Sequence, residues 1–66
     1  MIVDFIKLRK AIARKCYSMR AFLREAHMSS ATVKRIRDGG KVNTSTVGRM
    51  ASVLGVDVED ILLDGN

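Results

Sequence analysis

The sequence predicts an all-α fold, a compact five-helix bundle that forms a single domain over residues 1–66. Apolar residues recur every three or four positions along most of the chain, which is the spacing of one helix face. Ser, Asp and Asn precede these stretches, as helix caps do, and glycine follows several of them. The absence of proline and the low aromatic content also favour helices over a sheet.

The first two predicted helices are amphipathic. Asp4 is the expected N-cap of the first, which runs to about Lys15. Phe5, Leu8 and Ile12 fall on one face of this helix. A second helix begins after Ser18, and its apolar stripe consists of Met19, Phe22, Leu23 and Ala26.

The third predicted helix covers residues 30–38 and follows a tight turn that ends at Ser29, its expected N-cap. Val33 and Ile36, three positions apart, are expected to face the core. Gly39-Gly40 ends the helix because glycine readily adopts the left-handed conformation found at helix C-termini.

Two further helices are predicted in the C-terminal part. The fourth begins with Asn43 or Thr44 as its cap and ends at Gly55, with a buried stripe of Val47, Met50, Ala51 and Leu54. Asp57 caps a short fifth helix, and Asp60 occupies the capping-box position. The apolar face of this last helix consists of Val58, Ile61 and Leu62.

Charge is distributed unevenly along the chain. Residues 1–49 contain all 12 Lys and Arg but three acids, whereas residues 50–66 contain four acids and no base. The net charge of +5 therefore combines a strongly basic part with an acidic end. This asymmetry predicts a polyanionic partner for the basic part and a different role for the acidic end.

Several function classes are disfavoured by the composition. No apolar run is long enough to span a bilayer, and no signal peptide precedes the first helix, so we expect a cytoplasmic protein without membrane contact. Cys16 cannot form an internal disulfide and is expected to be buried or at the core boundary. Cys16 and His27 alone provide neither a metal site nor a catalytic set, so we predict no metal, no cofactor and no enzymatic activity.

The segment from Ser18 to Gly39 has the spacing of a helix-turn-helix, with two capped helices separated by about three residues. On the second of these helices, small residues come first and basic residues follow, and those pointing outward include Ser30, Ala31, Lys34 and Arg35. Small side chains allow close approach to base edges, and Arg or Lys can donate hydrogen bonds to guanine O6 and N7. A merely solvated basic face is the alternative interpretation.

The same segment resembles the helix-turn-helix of the lambda-repressor-like family, also called the Cro/repressor or XRE type. The stretch Val47–Leu62, with Ala51-Ser52-Val53-Leu54-Gly55-Val56 at its centre, looks like the fourth and fifth helices of that family. The resemblance implies a sequence-specific transcriptional regulator, a repressor of bacterial, phage or mobile-element type. It implies that the third helix enters the major groove of double-stranded DNA.

The resemblance also implies contact residues. Base contacts would fall on Ser30, Ala31, Thr32, Lys34 and Arg35. Phosphate contacts would fall on the start of the second helix and on the loop after the third, namely Ser18, Met19, Arg20, Gly40, Lys41, Asn43 and Thr44.

Four departures from the family pattern surround the third helix. Met19 replaces a frequent glutamine, His27 replaces the usual turn glycine, and Leu23 replaces a usual alanine. His27 should tolerate a positive φ better than most residues. The positions of a frequent helix-one arginine and helix-three glutamate are taken by Ile12 and Arg37, which leaves Arg37 able to reach Asp38 or a phosphate.

Partner predictions follow from size and from the acidic end. A single small module binds DNA weakly, so we expect a homodimer on a palindromic operator. The expected dimer face consists of Val56, Val58, Ile61, Leu62 and Leu63. An antitoxin-like or other protein-binding module that uses this face is the alternative. Because the sequence ends soon after the fifth helix, we expect no effector domain and no small-molecule effector.

Overall fold

The computed structural model describes residues 1–63 and contains four α-helices. Their bounds are Phe5–Arg14 (α1), Met19–Glu25 (α2), Ser30–Arg37 (α3) and Thr44–Leu54 (α4). Within the described residues no strand forms, so the all-α prediction is confirmed, and the four helix positions agree with the sequence to within about one residue.

The helices begin where the sequence predicts caps. The Asp4 carboxylate accepts hydrogen bonds from the backbone N–H groups of Ile6, at 2.9 Å, and of Lys7, at 3.1 Å. Ser18 Oγ accepts from the N–H of Ala21 at 3.1 Å. Asn43 is the N-cap of α4, but its side chain makes no capping hydrogen bond. With Ser29 Oγ accepting from Thr32 N–H at the start of α3, three of the four helices have a side-chain cap.

Left-handed residues end the helices and shape the turns. Gly39, with φ 85°, and Gly55, with φ 67°, lie at the ends of α3 and α4, as predicted. His27 also has a positive φ of 53°, which confirms its place in the turn. Cys16 was expected to be buried or at the core boundary, and this prediction is wrong. It is exposed and has φ 60°, because it forms the turn after α1 rather than part of its apolar face.

The predicted fifth helix is present only as a 3-10 turn, so a bundle of five helices is not confirmed. Val58–Asp60 is a single 3-10 turn, closed by hydrogen bonds from Asp60 N–H to Asp57 O and from Ile61 N–H to Val58 O. The Asp60 carboxylate accepts from Asp57 N–H at 3.1 Å, as the capping-box position predicts. Helical hydrogen bonding does not continue because Leu63 N–H donates to Ile2 O, at 3.0 Å, instead of to a carbonyl one turn earlier. Asp4 N–H donates to Ile61 O, at 2.8 Å, in the same pairing with the N-terminal segment.

The core draws on the N-terminal segment, all four helices, the loop before α4 and the segment after the 3-10 turn. Its largest fully buried side chains are Leu8, Phe22, Ile36, Val47, Met50 and Ile61. Among the residues the structure describes, no polar or charged residue is buried. The charged side chains of this region therefore all lie at or near the surface.

The N-terminal segment connects two distant parts of the chain. Ile2 forms an antiparallel bridge with Lys41, and Val3 forms one with Leu62. Val42 N–H donates to Met1 O at 2.8 Å. The segment thus fixes the loop between α3 and α4 against the end of the described chain.

In the part of the chain that the structure describes, no helix has the length and apolar character required to cross a bilayer.

Candidate nucleic-acid interface

The outward face of α3 is a small and basic surface. Ser30, Ala31, Lys34 and Arg35 are exposed, whereas Ile36, on the opposite side, is 1% exposed. At about 1.5 Å of rise per residue, the positions from Ser30 to Arg35 extend about 7.5 Å along the helix. This length matches about two base-pair steps of B-form DNA, whose rise is about 3.4 Å.

The turn between α2 and α3 fixes the direction of α3. Met28 N–H donates to Leu23 O at 2.9 Å, and His27 N–H donates to Arg24 O at 3.3 Å. Ala26 is 1% exposed and packs into the core just before the turn. A short, hydrogen-bonded turn next to a buried residue holds the two helices in one arrangement.

The N-cap of α3 joins the turn to the exposed face. Ser29 Oγ accepts from Thr32 N–H at 3.4 Å and lies 3.3 Å from the Thr32 hydroxyl. Thr32 is half-buried, so it lies at the edge of the outward face rather than on it. Its hydroxyl already has a partner in the cap.

The cations of α3 are available to an external anion. Over residues 1–63, neither Lys34 nor Arg35 forms an ion pair. Arg37 Nε lies 3.9 Å from Asp38 Oδ1, so Arg37 reaches that carboxylate as predicted. Both side chains are about 60% exposed. Such an exposed pair stabilises the fold little. The surface can therefore neutralise phosphate or donate to bases without first breaking a buried salt bridge.

The predicted phosphate-contact residues belong to two segments, the start of α2 and the loop from α3 to the first residue of α4, which we call the two flanks of α3. Ser18 and Arg20 are exposed on one flank, and Lys41, Asn43 and Thr44 are exposed on the other. The bridge between Ile2 and Lys41 fixes the second flank. Lys41 therefore extends from a backbone that is held at one position.

Two predicted phosphate contacts change in character. Gly40 has a single donor, its N–H, and that group already donates to Arg35 O at 2.8 Å, so its phosphate contact stays a prediction. Met19 is half-buried and its side chain lines an apolar cleft. Only its backbone N–H could reach a phosphate.

That cleft lies between α1, the start of α2 and α3, and has a volume of about 480 Å³. Val33 lines it and is half-buried, so it faces the cleft rather than the closed core. Ile12 is 4% exposed at the wall, with Arg37 at the same cleft. The Arg9 guanidinium lies 5.9 Å from the centre of the Phe5 ring. Because Ile12 has no charge and the Arg37 side chain is exposed, this pair leaves no buried charge without a partner.

Residues 7–63 match the family model of the Cro/C1-type HTH DNA-binding domain. The chain belongs to this family. The match covers the helix-turn-helix and the later elements together, which confirms the lambda-repressor-like resemblance. No curated protein and no solved structure matched the chain significantly. DNA binding is therefore the activity that the family description gives for this domain.

The C-terminal surface of this Cro/C1-type domain is less apolar than the sequence suggested. Ile61 was predicted as a dimer contact, but it is 0% exposed and closes the core, so no partner can reach it. Val56, Val58 and Leu62 are half-buried, and Leu63 is 44% exposed. Asp64, part of the predicted acidic end, lies outside the described residues.

Metal binding finds no support in the described residues. Residues 1–63 contain no group of three or more His, Cys, Asp and Glu side chains that could hold an ion. Cys16 and His27 are both exposed turn residues.

Sequence reasoning missed the tether at the N-terminus. The β-branched pair Ile2-Val3 is a weak strand signal, but two residues show no periodicity. Because this pair bridges to Lys41, it helps to place one flank of the DNA-binding surface.

Proposed function

We propose that this chain is a sequence-specific transcriptional regulator, a repressor, that reads the major groove of operator DNA with α3. It is not an enzyme, and it needs no metal or cofactor. The observation that carries the proposal is the exposed set Ser30, Ala31, Lys34 and Arg35 on one face of a helix that follows a hydrogen-bonded turn. Family membership supports DNA as the ligand.

Base recognition is divided along α3. Ser30 and Ala31 allow the helix to approach the bases, because their side chains are short and exposed. Ala31 suits contact with a thymine methyl group, whereas Arg35 and Lys34 suit the O6 and N7 acceptors of guanine. Thr32 contributes at the edge of this surface.

Phosphate contacts on both flanks set the orientation of α3. One DNA strand is contacted at its phosphates by Ser18, Arg20 and the backbone of Met19. The other strand is contacted by Lys41, Asn43 and Thr44. Such contacts fix register and raise affinity without reading sequence. The basic charge of residues 1–49 supports this division.

A homodimer on a palindromic operator provides the required specificity. One small module gives too few base contacts to select a site in a genome, whereas two modules about 34 Å apart double them. The dimer surface is Leu63 together with the half-buried Val56, Val58 and Leu62. Repression requires only that the dimer occupy its operator, so no small-molecule effector is needed.

The test combines salt dependence with selection from a random pool of duplexes. The logarithm of the affinity should fall steeply with the logarithm of salt concentration, by about 0.9 for each phosphate neutralised. The bound pool should contain one enriched palindrome. Undetectable binding at low salt, or binding with no enriched sequence, would refute the proposal.

A protein-binding role of the antitoxin type is the second candidate. Three exposed acids, Asp57, Glu59 and Asp60, and the exposed Leu63 favour it, because they give the C-terminal end a chemistry unlike that of α3. The two functions make different predictions for Glu59→Lys. Loss of a protein partner with unchanged DNA binding would support the second role, and an unchanged partner affinity would count against it.

A further inference from the structure

Gly40 lies directly against the side chain of Arg35. A Cβ atom placed on Gly40 would stand 2.6 Å from Arg35 Cγ, 3.4 Å from Arg35 Cδ and 3.2 Å from Arg35 O. The first distance is shorter than real Cβ contacts, and the displaced atom belongs to the near end of the arginine stem. Any side chain at position 40 must therefore displace Arg35.

The adjacent glycines have different reasons to be glycine. Gly39 has φ 85°, and a Cβ added there would meet no atom within 4 Å, so its requirement is conformational. Gly40 does not adopt a left-handed φ, so its backbone conformation does not itself demand glycine. A side chain at position 40 is disfavoured mainly by the space that Arg35 Cγ occupies, with a smaller contribution from Arg35 O at 3.2 Å.

We propose that Gly40 is a positioning residue for Arg35, and that it thereby helps to determine base specificity. The backbone hydrogen bond from Gly40 N–H to Arg35 O, at 2.8 Å, holds the two residues together. Because Gly40 has no Cβ, the first methylenes of the arginine can occupy the space above it, so glycine permits a rotamer of Arg35 that a side chain at position 40 would exclude. This inference rests on the proposed function, in which Arg35 contacts a base.

The positioning of Arg35 by Gly40 should affect recognition of one base in the operator. A bidentate contact of Arg with guanine O6 and N7 requires the planar guanidinium in one orientation. We place this orientation in the rotamer that the absent Cβ of Gly40 permits, so excluding that rotamer should raise the cost of the contact. Gly40 should therefore affect the preference for guanine at one operator position and leave phosphate-driven binding unchanged.

The first test needs no DNA. Rotamer populations of Arg35 are measured from side-chain scalar couplings in the wild type, Gly40→Ala and Gly39→Ala. We expect Gly40→Ala to shift the Arg35 χ1 population, while Gly39→Ala lowers stability and leaves Arg35 as it was. An unchanged Arg35 in Gly40→Ala would overturn the proposal.

The double variant Gly40→Ala/Arg35→Ala keeps the test decisive if Gly40→Ala does not fold. Arg35→Ala removes the 2.6 Å contact with Cγ and leaves the milder 3.2 Å contact with Arg35 O, so the double variant should fold nearly as well as Arg35→Ala does. Failure of the double variant as well would overturn the proposal, because the cost of a side chain at position 40 would then be independent of Arg35.

The second test uses the duplex selected by the wild-type protein and versions with each base substituted. Gly40→Ala should reduce discrimination for guanine at the Arg35 position by at least about fivefold, the lower end of what a bidentate contact provides. In a protein that already carries Arg35→Ala, Gly40→Ala should cause no further loss of discrimination. An equal loss on every sequence, or an additive loss with Arg35→Ala, would overturn the proposal. A wild-type protein without sequence preference would refute the proposed function, and the rotamer measurement would still decide the placement of Arg35.

Discussion

The helices α3 and α4 are anchored in opposite ways. In α4, four residues are at most 3% exposed, namely Val47, Met50, Ala51 and Leu54. In α3, Ile36 is the one buried residue, and the position of the helix depends on the Ser29 cap and the turn before it. The side chains of α4 stabilise the core, while α3 leaves most of its side chains free for a ligand.

This difference separates two kinds of substitution. Changes in the buried face of α4 should lower the free energy of unfolding, and any loss of DNA binding should follow from unfolding. Changes on the outward face of α3 should alter DNA binding in a protein that remains folded. Four variants test this separation, in order of decreasing expected effect.

Met50→Ala should have the largest effect. The side chain is 0% exposed, so its truncation leaves a cavity and costs about 2–5 kcal/mol of unfolding free energy. A domain this small has only a few kcal/mol to lose. Thermal unfolding followed by circular dichroism measures this, with the volume-conserving Met50→Leu as control. A melting temperature close to that of the wild type would show that α4 does not anchor the core.

Arg35→Ala should act on binding rather than on stability. Loss of its base contact should cost about 1–3 kcal/mol at the selected sequence and relax preference at one position. The melting temperature should hardly change, because the side chain is exposed. Arg49→Ala, which removes the same charge from an exposed position on α4, is the matched control. An equal loss on all sequences would instead assign Arg35 to phosphate.

Ser29→Ala tests whether the cap holds α3. The Ser29 Oγ to Thr32 N–H distance of 3.4 Å indicates a modest capping bond, so we expect a loss of about 0.5–1 kcal/mol of stability. This corresponds to a few degrees in melting temperature. Ser52→Ala replaces an exposed serine within α4 and should cause no loss. If both variants behave alike, the cap does not secure α3.

Lys41→Ala should have the smallest effect on discrimination. Removing one phosphate contact should reduce the slope of log affinity against log salt by about 0.9 and weaken all sequences alike. Fluorescence anisotropy over a range of salt concentrations measures the slope, and Arg49→Ala again provides the charge control. A change in base preference would contradict the assignment of Lys41 to phosphate.

The sequence predicted the parts of this molecule that depend on local signals. Asp4, Ser18 and Ser29 cap the helices they precede, and Gly39 and Gly55 end α3 and α4, because caps and left-handed residues act on adjacent backbone. The outward positions of α3 followed from helical periodicity and the buried Ile36.

Contacts between distant residues could not be predicted in the same way. The bridges from Ile2 to Lys41 and from Val3 to Leu62 join segments far apart in sequence. The two adjacent residues Ile2 and Val3 are too few to show a periodic pattern that would predict these bridges. These bridges use the backbone that a fifth helix would have needed. The contact between Gly40 and Arg35 depends on a single rotamer, which no sequence pattern encodes.

The most direct test of the central claim is a map of backbone amide chemical shifts as the protein is titrated with its selected duplex. The account predicts the largest changes over residues 30–35, with smaller ones at residues 18–20 and 41–44, and little change at residues 56–60. Large changes confined to residues 56–63, with α3 unaffected, would contradict it.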